Sequence, residues 1–66
     1  MEGYSILVRT NNRVFAVNLT SKDEAISNIA YIYRNYGTKF SSAKVIPTHH
    51  LDLSVERQPD FRFLAA

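Results

Sequence analysis

The sequence has no cysteine and no tryptophan, and only two glycines and two prolines among 66 residues. Without cysteine there is neither a disulfide nor a thiolate zinc site. Secreted domains this small usually need disulfides, so a reducing, cytoplasmic compartment is expected. Two glycines, Gly3 and Gly37, cannot make a glycine-rich phosphate loop, and neither GxSxG nor HExxH occurs. No apolar run approaches the roughly 20 residues of a membrane-spanning helix. The run Ile6-Leu7-Val8 stops at Arg9 with no basic segment before it, which argues against a signal peptide and a membrane partner. A strong charge of one sign is also missing. The net charge is +2, and the eight basic residues are scattered along the chain.

Hydrophobic residues make up 45% and charged residues 21%, the balance of a globular domain and not of a disordered chain. The length suits one domain over residues 1–66. A body so small buries little apolar area for each residue it orders, and such scaffolds often add burial by oligomerising. A homodimer is therefore expected.

Two short β patterns open the chain. Tyr4, Ile6 and Val8 alternate with Ser5, Leu7 and Arg9, and Phe15, Val17 and Leu19 alternate with Val14, Ala16 and Asn18. With Asn11-Asn12 as a two-residue type I′ turn, Val8 faces Phe15, Ile6 faces Val17 and Tyr4 faces Leu19. A slip by one residue would break all three apolar pairs together, so the register is well specified.

Residues 21–36 read as a helix. Ser21 and Glu24 form a capping box, Asp23 and Glu24 suit the positive end of the helix dipole, and Gly37 offers a left-handed stop. Ala25, Ile26, Ile29, Ala30, Ile32, Tyr33 and Tyr36 share an arc of about 160°, wide enough to lie flat on a sheet. A third strand is expected over Ala43–Pro47, with Pro47 marking an edge or a strand end. Thr48-His49-His50 turns the chain. Leu51, Leu53 and Val55 then alternate with polar residues as a fourth strand, and Phe61-Arg62-Phe63 forms an aromatic tail. The expected fold class is α+β: a two-layer ββαββ arrangement with a mainly antiparallel sheet, one helix on one face and a short aromatic C-terminal tail.

The helix ending in Gly37-Thr38-Lys39 and followed by a strand resembles the helix–Gly-Ser-Lys–strand segment of the LX-type archaeal ribosomal proteins, over about a third of the chain. Phe40-Ser41-Ser42 stands where that family usually has basic residues, so the resemblance implies shared topology and not kinship.

Little in the chain supports catalysis. Asp23 and Glu24 are explained by capping, and Asp52 and Glu56 by the polar phase of a strand. His49, His50 and Asp52 form the one ligand-like cluster, but the two histidines would point to opposite sides of a strand and no third ligand is evident. No enzyme activity, metal or cofactor is expected.

Protein binding is the leading expectation, as in a small regulatory or host-modulating protein of the phage or mobile-element type. Three surfaces carry it. With the helix on one face, the other face carries Leu7, Val14 and Ala16, which are too apolar for a solvated sheet face. The chain's own tail, a second copy or another partner could cover it. The solvent side of the helix carries Tyr31 beside Arg34 and Asn35, residue types common in binding hot spots. The tail offers Phe61 and Phe63. The alternative is an RNA- or DNA-binding module using Arg9, Arg13, Lys39 and Lys44.

Overall fold

The structure, a computed structural model, describes residues 3–65. The N-terminal reading that touches Met1 and Glu2 lies outside these residues. One helix packs on a four-stranded mixed sheet, so the fold is α+β. Strands β1 (Tyr4–Arg9) and β2 (Val14–Leu19) form the expected hairpin, with Val8 opposite Phe15, Ile6 opposite Val17 and Tyr4 opposite Leu19. The turn is not type I′, because neither asparagine has positive φ. Thr10 closes it instead, its N–H donating to the Arg13 carbonyl at 2.9 Å.

Helix α1 spans Lys22–Tyr36, capped by Ser21, whose hydroxyl accepts from the Glu24 N–H at 3.1 Å. The Glu24 carboxylate reaches past Ser21 and accepts from the N–H and hydroxyl of Thr20 at 2.9 and 3.0 Å. These bonds hold Glu24 below its ordinary value of 4.5, the backbone donor of Thr20 contributing most. Gly37 is not left-handed, with φ −59° and ψ −21°. Its lack of a side chain still matters, since a Cβ there would lie 2.6 Å from the Tyr33 carbonyl oxygen.

The third strand, β3 (Ser42–Pro47), pairs antiparallel with β1 and is an edge, as Pro47 suggested. The fourth strand is not where the alternation of Leu51, Leu53 and Val55 placed it. Strand β4 is Glu56–Gln58, and it pairs parallel with β2 at the opposite edge, giving the order β3-β1-β2-β4. Two strand pairings are antiparallel and the third is parallel.

Chain length explains the shift. Residues 48–55 must cross three strand spacings, about 14 Å, and return about 13 Å along the strands, from the level of Leu19 to that of Phe15. The diagonal of about 20 Å takes up most of the reach of eight residues, about 27 Å when extended. No length remains for a paired strand within the segment. It opens with a 3₁₀ turn at Thr48–His50 and bends again where Asp52 accepts from the Ser54 N–H at 2.9 Å. Leu53, at the tip of this bend, is 94% exposed.

Handedness places the two connections. Strands β2, β3 and β4 all run the same way. Helix α1 carries the chain from β2 over β1 to β3, and residues 48–55 carry it back over β1 and β2 to β4. Two right-handed crossovers moving in opposite directions lie on opposite faces of the sheet. Burial agrees. Ile6, Val8 and Val17 join Ala25 and Ile32 of α1 in the core. On the opposite face, Ser5 and Ala16 have no exposed surface either. The Ser5 hydroxyl donates to Asn18 Oδ1 at 2.7 Å and meets Thr48 Oγ1, in the crossing segment, at 2.8 Å.

The tail ends in a 3₁₀ turn at Arg62–Leu64. Phe61 and Leu64 are buried in the core on the α1 side, and the Phe63 ring lies 4.6 Å from that of Phe15. The tail thus completes the helix-side core and does not cover the other face.

Candidate interaction surfaces

The first expected surface, Leu7, Val14 and Ala16, is already occupied in part. Ala16 is sealed between Leu7 on β1 and Arg57 on β4, both at its own level. The Arg57 guanidinium bends back to the carbonyls of Asp52 and Val55, each at 3.5 Å. Ala16 therefore has no surface to offer a partner. Leu7 and Val14 remain half-buried. The tail is excluded as a free arm as well, because Phe61 is buried and Phe63 half-buried against the chain itself.

The outer side of α1 is the surface that stays open. Tyr31 is 52% exposed, and Arg34 and Asn35 are exposed beside it. Together with Ser27 and Ala30 they line a shallow depression of about 390 Å³. The Asn35 amide donates to the Tyr31 carbonyl at 2.9 Å, and the Tyr31 ring meets Tyr36 edge-on at 6.2 Å. Hydrogen bonding to Tyr31, and then charge repulsion from it, hold the Tyr36 phenol above its ordinary value of 10.0.

Two large residues next to this group were expected in the core. Ile26 is 50% and Tyr33 51% exposed. The helix buries Ala25 and Ile32 and half-buries Ile29 and Tyr36. Ile26 and Tyr33 lie about 70–90° around the helix from that direction. The apolar arc is wider than the sheet beneath it, and one margin overhangs the β3 edge. The width of the arc was the signal in the sequence; which margin stays uncovered depends on where the helix sits.

The overhang also closes the sheet edge. The Tyr33 hydroxyl donates to the Ala43 carbonyl at 3.0 Å and accepts from the Ala43 N–H at 3.1 Å, so both groups face away from β1. Ala43, Val45 and Pro47 share that outward phase, and proline has no N–H. Val45 is then the one free donor along this edge, too few for another strand to add.

The four basic residues expected to bind nucleic acid are divided between two faces. Arg9 and Lys44 share the phase of Leu7, away from the helix, where Arg57 joins them. Arg13 and Lys39 line an open cleft of about 320 Å³ on the other side, with Phe15, Glu56 and Phe63. There Arg13 is neutralised by Glu56 at 2.6 Å and sits 4.8 Å over the Phe15 ring. His49 and His50 are exposed, and among the described residues no group of three or more metal-ligating side chains forms.

No family model, curated protein or solved structure matches the chain. Its function is read from its own surfaces. No described helix is long and apolar enough to cross a membrane.

Proposed function

We propose that this is a non-enzymatic protein-interaction module that docks through the outer side of α1 and acts in the cytoplasm as a small regulatory protein. The half-exposure of Ile26, Tyr31 and Tyr33 on one helix carries this reading. Tyr33 is tied to the β3 edge by its hydroxyl, but the exposed halves of Ile26 and Tyr31 gain no burial within the fold. Tyrosine and arginine over an apolar strip are the usual composition of a binding hot spot. Photo-crosslinking in the expressing cells tests it, with p-benzoylphenylalanine placed at Ser27, exposed at the rim of the same depression, and, as a control, at Asn11 in the hairpin turn. Light-dependent protein adducts at Ser27 alone are expected. No adduct at Ser27, or the same adducts from both positions, would overturn the reading.

A second reading rests on Arg9, Lys44 and Arg57, which share one sheet face and outnumber the single acid of the crossing segment there, Asp52. This favours phosphate contact. With no aromatic residue in that phase to stack bases, the binding would be insensitive to sequence. Affinity for a single-stranded oligonucleotide should then fall steeply with salt and weaken in Lys44→Ala. Absence of a complex even at low salt would remove this alternative.

A further inference from the structure

We infer that the partner of the exposed helix is a second copy of this chain, the two α1 helices packing antiparallel with Ala30 at the crossing. The inference rests on the reading of α1 as the docking element. The stripe is self-complementary. Ala30, a small residue between Ile26 and Tyr33 along the axis and between them and the charged flank around it, lets two helix backbones approach. Ile26 lies about 6 Å to one side along the axis and Tyr33 about 4.5 Å to the other. A two-fold axis at Ala30 sets Ile26 of each copy against Tyr33 of the other, the same patch serving both sides of the interface.

The charges beside the stripe fit the same operator. At 100° per residue, Asp23 and Arg34 lie on one flank of the stripe, about 20° apart. Both are exposed, and the ion pairs among the described residues are Arg13–Glu56 and Asp60–Arg62, so neither is in an ion pair among those residues. An antiparallel two-fold keeps each flank on its own side and reverses its direction. Asp23 therefore comes within about 3–5 Å, along the axis, of the second copy's Arg34, inside the reach of an arginine side chain. The pair is made twice. An unrelated partner would not require this internal match of register and charge.

Other occupants of the overhang are less well supported. Strand addition at β3 is blocked by the Tyr33 hydroxyl and by Pro47. The tail and the β3–β4 connection both lie elsewhere in the fold.

Sedimentation equilibrium from about 10 μM to about 1 mM tests the pairing. The wild-type chain should dimerise in this range, and Ile26→Asp should stay monomeric. Asp23→Arg and Arg34→Asp should each weaken the dimer by about tenfold, because each swap breaks two symmetric pairs and sets like charges together. The double swap should recover most of that loss. The charge swaps touch exposed side chains only, so the test stands even if Ile26→Asp unfolds, which circular dichroism would reveal. A monomer at every concentration, a dimer indifferent to Ile26→Asp in its folded form, or a double swap no tighter than the single ones would overturn the inference. If the chain is monomeric while crosslinking from Ser27 captures a different protein, docking through α1 stands and the second copy does not. If crosslinking also fails, both readings fall.

Discussion

The N-terminal half of the chain and the C-terminal half obey different logic. From Tyr4 to Tyr36 each element is specified by residues close to it: facing apolar pairs fix the hairpin, and Ser21 starts the helix at a definite residue. From Thr48 onward, local pattern misleads. Leu51, Leu53 and Val55 alternate as a strand should, yet they lie on a crossing path, with Leu53 almost wholly in water. Where two strands are joined by a tight turn, sequence neighbours become partners. Where the chain must reach the far edge of the sheet, partners are set by what is already built.

The sharpest break of this comparison is Ala16→Lys. On an open face this change would be nearly neutral. Sealed between Leu7 and Arg57, it sets a second positive charge against Arg57 at a position with no exposed surface and should destabilise the fold by at least about 3 kcal/mol, measured by urea unfolding. Leu64→Ala comes next. A free tail would tolerate it, whereas a tail that completes the core should lose about 2–4 kcal/mol by the same measurement. In the locally specified half, Ser21→Ala should cost about 1 kcal/mol by removing the acceptor for the Glu24 N–H.

Acid sharpens the same end of the helix. Glu24 is held below its ordinary 4.5 by Thr20, so its folded-state value is depressed relative to the unfolded one. Its contribution is present above the unfolded value and disappears as pH falls through the lowered folded one. The stability gap between wild type and Glu24→Gln should therefore close as pH drops below 4.5. A gap that persists in strong acid would assign the effect to something other than the carboxylate. The smallest expected effect is that of Leu53→Ser, within about 0.5 kcal/mol of wild type, because a residue this exposed has little burial to lose. A large loss there would restore the strand that the alternation suggested.

The candidate site was legible to a similar, partial degree. Tyr31, Arg34 and Asn35 were recognisable because helical periodicity alone puts them opposite the apolar arc. Ile26 and Tyr33 were not, because periodicity gives the width of an arc and not the width of the sheet beneath it. Ala16 and Phe61 looked available because nothing local shows that β4 will set Arg57 beside one and that the other will turn into the core.

The sequence by itself determined the hairpin register, the start and length of the helix, and the α+β class, because these depend on contacts between residues near one another in the chain. The tertiary structure alone decided the parallel placement of β4, the partial covering of the second sheet face and the exposed margin of α1. The physical reason is chain reach and handedness: residues 48–55 can span the sheet only along one face, and α1 already occupies the other.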